Sequence, residues 1–342
     1  MTESSTRTVA AVLYRKNLPI TDPDALVDAR VVRPTPRPHD LIVEVAAVSV
    51  NPVDIKNRIN VVPPTQGRIL GFDASGTVVE VGSAVTLFAP GDQVYYAGSI
   101  DRPGTDTELH AVDERIVGHK PSTLDHARAA AIPLTAITAW ESLFDRLQLT
   151  AESTGTILVL GGAGGVGSML IQLAKKLTRL TVIATASRPE SREWVTDLGA
   201  DQVVDHHGDL VGQVLDVAPD GVEYVFSCQT QGTTGVFEKI VKPFGHIVSI
   251  DSPTDLDILP LKSKSIAWHW ELMFTRPVHG TPDMIEQHHL LDRVANLIDA
   301  GVIRGTMTKV LTPVNAEQVR EAHRLIETGR TIGKIVVSRQ SQ

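Results

Sequence analysis

The chain has 342 residues, 42% hydrophobic and 21% charged, with 40 acidic residues against 32 basic ones. That is an ordinary soluble composition, long enough for about two domains, and the net charge of −8 argues against nucleic-acid and anionic-membrane partners. A single cysteine, Cys228, rules out an internal disulfide and points to a reducing, cytoplasmic setting, and no apolar run approaches the roughly 20 residues of a membrane helix.

From Val9 to Tyr14 runs an apolar stretch too short for a signal-peptide core and suited to a first strand. Residues 1–131 continue as short strands, with Leu41 to Val50, Gly76 to Val81 and Gln93 to Tyr96 among them. Pro34, Pro36, Pro38, Pro63, Pro64, Pro90-Gly91 and Pro103-Gly104 punctuate them. That density of turn residues predicts a β-rich, partly barrel-like unit. From about Leu124 the pattern turns helical, over Asp125 to Ala131 and Thr135 to Leu147. Strands and helices then alternate. Leu180 to Ala186, Gln202 to Asp205, Gly221 to Ser227 and Gly245 to Ile250 read as strands. Ser191 to Leu198, Leu210 to Val217 and Thr234 to Val241 read as helices, and Ser265 to Met273 as a sixth strand. Such alternation predicts a doubly wound parallel sheet. Met284 to Ala300 and Ala316 to Thr328 are helices and Ile332 to Val337 a last strand. This tail leaves the alternation and is expected to rejoin the β-rich unit.

The alternation begins at Ile157-Leu158-Val159-Leu160, an apolar run followed by a glycine turn and a helix carrying Leu170, Ile171, Leu173, Ala174 and Leu177. Gly162, Gly164 and Gly167 spell G-x-G-x-x-G between strand and helix, the pattern of a dinucleotide-binding turn. Gly162, Gly164, Gly165, Val166 and Gly167 would cradle the pyrophosphate, since a helix N-terminus offers unpaired N–H groups and a partial positive charge. The next strand ends Ala184-Thr185-Ala186-Ser187-Arg188, where an NAD-selective site carries Asp or Glu for the ribose hydroxyls. Ser187 and Arg188 suit a 2′-phosphate instead, so the expected cofactor is NADPH. Glu190 is the rival partner for the ribose if that strand ends later, and Arg188 is otherwise a solvated loop cation. Ser227, Ile250 and Asp251 end strands at the carboxyl edge of the sheet, where such folds bind ligands.

In combination, Gly71-Phe72-Asp73-Ala74-Ser75-Gly76, Pro90-Gly91-Asp92-Gln93-Val94 and Leu160 to Ser168 resemble the medium-chain dehydrogenase/reductase superfamily. Asn51-Pro52-Val53-Asp54 and Pro133 to Trp140 are similar to its quinone oxidoreductase branch, and more narrowly to the group labelled zinc-type alcohol dehydrogenase-like. The resemblance implies an α/β protein: a GroES-like β-rich catalytic domain plus a doubly wound parallel-sheet Rossmann domain. Its expected limits are 1–131 for the catalytic domain, 132–283 for the NADP-binding domain and 284–342 for a return that completes the first. The active site would lie in the cleft between them. By the same resemblance Thr138 touches the nicotinamide, or else bonds its own helix backbone, and Lys334 reaches a cofactor phosphate, or else is a plain surface lysine.

Zinc needs about three converging Cys, His or carboxylate ligands. Here Asn51 stands where the zinc enzymes carry their first cysteine, and Phe72 and Asp73 replace the His and Glu of their G-H-E motif. The stretch Ala97 to Glu108 lacks the four cysteines of a structural zinc lobe. Cys228 reads as a buried small hydrophobe, and the pairs His206-His207 and His288-His289 as surface loop or helix positions. The expectation is therefore no metal. Without one, an acceptor already activated by conjugation fits best, a quinone or an α,β-unsaturated carbonyl reduced by direct hydride transfer. Asn51 would donate to the substrate oxygen. Asp54 is either catalytic or a structural group orienting its loop or pairing with Lys56 or Arg58. The competing functions are a zinc-dependent alcohol dehydrogenase and an NADPH-binding redox sensor or crystallin-like protein. Ile266, Trp268, Trp270 and Leu272 alternate along 265–273, an apolar edge that predicts a homodimer across it, unless both tryptophans pack under the chain's own helices.

Overall fold

The computed structural model describes residues 7–339. In chain order the first elements are β1 (Thr8–Tyr14), β2 (Val27–Val32), β3 (Asp40–Ser49), α1 (Pro52–Asn60), β4 (Arg68–Ile69), β5 (Ala74–Val81), β6 (Gln93–Tyr96), β7 (Leu109–Asp113), β8 (Val117–His119) and α2 (His126–Ala130). There follow α3 (Pro133–Trp140), a π-helical turn (Glu141–Arg146), β9 (Thr156–Val159), α4 (Gly165–Leu177), β10 (Thr181–Thr185), α5 (Pro189–Asp197), β11 (Gln202–Val204), α6 (Leu210–Val217), β12 (Val222–Ser227), α7 (Thr234–Ile240), β13 (Val241–Ser249) and β14 (Ala267–Trp270). The tail adds α8 (Thr275–His279), α9 (Glu286–Asp299), β15 (Met307–Leu311), α10 (Ala316–Glu327) and β16 (Lys334–Ser338). The chain divides into two compact units, Met1–Leu134 with Phe274–Gln342, and Thr135–Met273.

The first unit is built on β3. Leu41, Ile42, Val43, Val45, Ala47 and Val48 are all fully buried, so the strand is covered on both faces. It pairs antiparallel with β5, β7 and β16, in a sheet ordered β15-β16-β3-β5-β6-β8. A second sheet runs β2-β1-β4. The tail joins this core through Met284, Val319, Ala322, Ile335 and Val337, each of the larger side chains contributing about 1.5–3 kcal/mol by leaving water and the Ala322 methyl less. Phe274 stacks edge-on against Phe72 with ring centroids 5.3 Å apart. That contact, with Met284 in the same core, explains why this unit resumes at 274 rather than at the expected 284. Sequence reading missed α1 and β15. It treated 51–58 as loop, although Asn51 before Pro52 is a good helix start.

The second unit is one parallel sheet ordered β11-β10-β9-β12-β13-β14, the doubly wound order that reverses beside its first strand. Leu158, Val225, Ile247 and Phe237 fill its core. The helix expected over 135–147 is instead α3 followed by the π-helical turn. Between the pairs Val222↔Val241 and Tyr224↔His246 the register shifts, so Pro243 and Gly245 lie in a bulge of β13 rather than in a connecting loop. The edge strand is four residues long, not nine. Trp268 packs on the unit's own core, whereas Trp270 is 52% and Leu272 56% exposed, so the two tryptophans have different fates. Among the described residues no helix is long and apolar enough to cross a membrane.

Candidate functional site

In the second unit the glycine turn sits at the carboxyl end of β9, between β10 and β12, where the strand order reverses. Gly161 adopts φ +68°, which a side chain disfavours. Its N–H donates to Thr185 Oγ1 at 2.9 Å, and the Gly162 N–H to Thr185 O at 3.2 Å. The turn is thereby pinned to the end of β10. Gly164 caps α4, and Gly165 and Val166 form its half-buried first turn. A Cβ on Gly167 would lie 2.8 Å from Gly162 Cα and against Gly161 O, so only glycine lets the helix start this close to the turn. The first amides of a helix have no acceptor within it, and those of α4 are presented at this turn. The arrangement fits a dinucleotide pyrophosphate.

Ser187 and Arg188 follow the end of β10 and are half-buried. The Arg188 N–H donates to Ser191 Oγ at 3.1 Å, which starts α5. β10 ends at Thr185, so Glu190 falls in the exposed first turn of α5 rather than at the strand end. Arg192, one helical turn beyond Arg188, donates to Ala186 O at 3.1 Å and Val203 O at 2.9 Å. This second guanidinium at the same strand ends was overlooked, and its i, i+4 spacing from Arg188 was the available signal. Ser227 is buried and shares a hydrogen bond with Thr230 Oγ1 at 3.2 Å. Asp251 accepts from Thr230 N at 2.7 Å and Ser249 Oγ at 2.8 Å, which fastens the loop after β12 to the end of β13. Ile250 is half-buried and its N–H donates to Ser227 O at 3.1 Å. Cys228 is exposed, not buried as expected, because its thiol lies over the turn and donates to Leu160 O at 3.4 Å. Thr138 is buried on α3.

In the first unit Asn51, Asp54, Asp73 and Lys334 meet in one buried cluster, all at most 4% exposed. Asn51 caps α1, and its N–H donates to Asp54 Oδ2 at 2.8 Å. The other Asp54 oxygen accepts from Gly71 N at 2.9 Å, at a residue with φ +100°. Asp54 therefore closes the start of α1 onto the β4–β5 connection and pairs with neither Lys56 nor Arg58. Arg58 instead bonds Leu18 O and Glu327. Burial pushes the Asp54 carboxyl up to about 7, against the pull of the two N–H groups and of the Lys334 ammonium. Asp73 is the hub: Oδ1 accepts from Leu134 N at 2.8 Å, and Oδ2 from Asn51 Nδ2 at 2.8 Å and Lys334 Nζ at 3.0 Å. Burial pushes its carboxyl up too, with Lys334 opposing.

Two expectations are corrected here. Lys334 is no surface lysine, and its ammonium donates to Val50 O, Asn51 Oδ1 and Asp73 Oδ2, which takes up its three hydrogens and leaves none for a cofactor phosphate. Asn51 is not an available substrate donor, because its two amide hydrogens go to Asp73 Oδ2 and, at 3.3 Å, to Ser49 O. Phe72 is buried against Phe274 and ligates nothing. Two carboxylates, one of them taken up by backbone N–H groups, one amide and a cation are a poor donor set for zinc, and no group of three or more His, Cys, Asp or Glu converges among the described residues. Of the histidine pairs, His206 and His207 are exposed, but His288 is buried with Nδ1 2.7 Å from Val117 O.

Comparison with known proteins gives consistent results. The Alcohol dehydrogenase GroES-like domain family matches residues 37–122, and the Zinc-binding dehydrogenase family matches 198–337. A zinc-type alcohol dehydrogenase-like protein of Staphylococcus aureus (strain MSSA476) is 43% identical over 312 residues, covering 90% of this chain and 92% of that one. The crystal structure of a proposed zinc-dependent alcohol dehydrogenase protein from Rhizobium etli CFN 42 superposes with a TM-score of 0.93 at 48% identity, over 98% of this chain and 99% of that one. A 2-methylene-furan-3-one reductase of Solanum lycopersicum is 30% identical over 321 residues, covering 91% of this chain and 74% of that one.

Proposed function

The chain belongs to the medium-chain dehydrogenase/reductase superfamily, in its quinone oxidoreductase-like branch, and from that premise we propose that it reduces quinones or α,β-unsaturated carbonyls with NADPH and without a metal. The observation that carries this reading is the buried Lys334–Asp73–Asn51 cluster. Where zinc-dependent members carry metal ligands, this chain holds its own ammonium, 3.0 Å from the carboxylate that would otherwise ligate. An unactivated ketone or alcohol needs a Lewis acid to take the developing charge. A conjugated acceptor spreads that charge onto its own oxygen and needs positioning and a few donors. The tomato relative's named reaction, reduction of a methylene-furanone, is of this conjugated class.

NADPH, when bound, supplies the hydride. The first turn of α4 holds its pyrophosphate, and Ser187 and Arg188 hold the 2′-phosphate, with Arg192 adding charge beside them. Asp251 and Ser227 brace the strand ends that flank the turn. Thr138 contacts the nicotinamide. Lys334 keeps a fixed positive charge in the first unit, and Asn51 and Asp54 position it by fixing the start of α1. The exposed edge of β14 is the face through which we expect a second copy to pair.

The deciding experiment is steady-state NADPH oxidation against a panel of quinones, enones, simple ketones and aldehydes, with metal analysis and activity before and after chelation. Turnover confined to the conjugated acceptors and indifferent to chelator is expected. Stoichiometric zinc with chelator-sensitive activity would overturn the reading. Arg188→Ala should raise the KM for NADPH by about tenfold or more, the worth of a lost charge-assisted hydrogen bond, and leave NADH nearly unchanged. Equal use of both cofactors by the parent would defeat the 2′-phosphate assignment.

A further inference from the structure

His206 and His207 lie at the same edge of the second unit as Ser187 and Arg188. Strands β10 and β11 run parallel with Thr185 opposite Val204, and the Ala186 N–H donates to Val204 O at 2.9 Å. Ser187 is the second residue past Thr185, and His206 the second past Val204. The two therefore leave neighbouring strand ends, about 5 Å apart where the strands pair. Arg192 ties those ends together through Ala186 O and Val203 O. The Gly208 N–H donates to Asp205 O at 3.2 Å, so His206 and His207 are the central residues of a β-turn directly after β11. Gln213 of α6 grips that turn twice: its Oε1 accepts from Asp205 N at 2.8 Å, and its Nε2 donates to Asp205 O at 2.9 Å. The pair is thus presented on a braced turn.

Both imidazoles are exposed, with ring centroids 4.2 Å apart, and neither hydrogen-bonds another group among the described residues. Partial burial holds the His206 imidazole below its ordinary value; His207 adds to that, and the Asp205 carboxylate opposes it. His206 is therefore mostly neutral near pH 7 and can take a proton when a negative group arrives beside it. The other charged groups here are mixed in sign. Asp205 takes up the His207 N–H at 2.9 Å, and Asp209 the Gly212 N–H at 3.0 Å. From the start of α5 come the Arg188 and Arg192 guanidiniums and the exposed Glu190. A phosphate monoester carries two negative charges above about pH 6 and accepts from cationic N–H groups. A ribose hydroxyl in its place gives an imidazole no reason to ionise.

We propose that His206 and His207 make cofactor choice depend on pH: protonated, they join Ser187 and Arg188 on the 2′-phosphate, so that NADP(H) is held more tightly relative to NAD(H) in mild acid. The inference rests on the assignment of Ser187 and Arg188 to that phosphate. Binding of the phosphorylated cofactor draws a proton onto the pair, and binding of the other does not. One charge-assisted hydrogen bond makes an imidazole about tenfold easier to protonate in the complex. From an ordinary value near 6.5, that weakens NADP(H) binding about fourfold between pH 6.5 and pH 8. The phosphate's own titration works in the opposite sense, because it loses charge below about pH 6.

The test is calorimetric titration of the full chain with the acid-stable cofactors NADP+ and NAD+ at pH 6.5 and pH 8, in buffers of different ionisation enthalpy so that proton uptake is counted. NADP+ should bind about fourfold more weakly at pH 8 and take up a fraction of a proton near pH 7, while NAD+ does neither. The double variant His206→Asn, His207→Asn keeps a residue type suited to turns. It should keep its NAD+ affinity and melting temperature and lose the proton uptake and the acid-side gain for NADP+. His206→Arg carries its charge at every pH and should hold NADP+ at pH 8 as tightly as the parent does at pH 6.5. A preference for NADP+ that is flat with pH overturns the inference and leaves the Ser187–Arg188 assignment standing. So does a pH dependence that NAD+ shares or that the double variant retains. Equal affinity for the two cofactors at both pH values defeats that assignment, and the inference with it.

Discussion

Replacing Lys334 with Met keeps an unbranched chain of similar length and removes only the ammonium. In the parent that ammonium is 4% exposed and lies 3.0 Å from an Asp73 carboxylate that is fully buried. Without it Asp73 keeps the Leu134 and Asn51 donors but loses its bond to the ammonium, and Val50 O and Asn51 Oδ1 lose theirs. Breaking one side of a buried pair costs about 3–5 kcal/mol. For a unit of this size each kcal/mol moves the melting temperature by about 2–4 °C, so a fall of roughly 10 °C is expected near neutral pH. The deficit should shrink in acid. Burial already holds Asp73 above its ordinary value, and losing Lys334 raises it further. The variant's folded state then binds an extra proton, and its stability falls as pH rises above about 4, the carboxylate's unfolded value. Differential scanning calorimetry at mildly acidic and neutral pH reads this. Trp140, Trp194, Trp268 and Trp270 all lie in the second unit, so tryptophan fluorescence is the wrong probe. Hydrogen exchange across β3 and β16 localises the loss. Adding Asp73→Asn should recover part of it, because the orphaned charge goes too. A fall under about 2 °C at neutral pH, or strictly additive effects in the double variant, would refute the buried-pair argument.

Gly167→Ala should abolish dinucleotide binding, measured by quenching of the second unit's tryptophans, because its Cβ meets backbone atoms of the turn rather than a side chain that can swing away. Asp54 sits in the fold at about 7 against 3.8 ordinarily. The native state therefore holds an extra proton between about pH 4 and about pH 7, and stability should fall as pH rises through that window and level off above it. Asp54→Asn should flatten that slope in melting curves, and an unchanged slope would exclude Asp54 as its source. Excess zinc should leave the parent's melting temperature where it is, whereas a ligand at about 100 times its Kd adds roughly 2.7 kcal/mol to a native state that binds it.

What was legible in the chain was whatever depends on neighbours in sequence. The apolar run at Ile157 to Leu160 with its glycines identified the turn, because strand, turn and helix start are local and each glycine has a local steric reason. Leu210–Val217 is a helix at the bounds its pattern predicts. What failed depends on partners far along the chain. Asn51 looked like a free amide at the end of a strand until Asp73 and Lys334, 22 and 283 residues away, took one of its side-chain hydrogens and its oxygen. Lys334, read as exposed or phosphate-bound, is buried because β16 pairs with β3 and brings it beside Asn51. Cys228 was expected to be buried just after its strand; it does follow the end of β12, but it is exposed, over the glycine turn. The short edge strand shows the same limit: alternation over 265–273 was real, but pairing with β13 lasts only from Ala267 to Trp270.

The relatives' names carry zinc, and the charges in the buried cluster bear on whether it could hold that ion. Asp73 and Lys334 together are neutral if the carboxyl is ionised. A divalent ion placed among them would leave one uncompensated positive charge even with Asp54 ionised as well, in a site where no member is more than 4% exposed, and isolated buried charge is among the costliest things a fold can carry. Accommodating it would require expelling the ammonium, freeing Asn51 Oδ1 and finding a third ligand, for which Phe72 offers only a ring. The protein has instead built its cation covalently into β16. A fixed ammonium cannot generate hydroxide or bind an alkoxide as a metal does, but it polarises its surroundings without leaving. On the proposed reading, that difference in chemistry favours acceptors whose own conjugation carries the electrons.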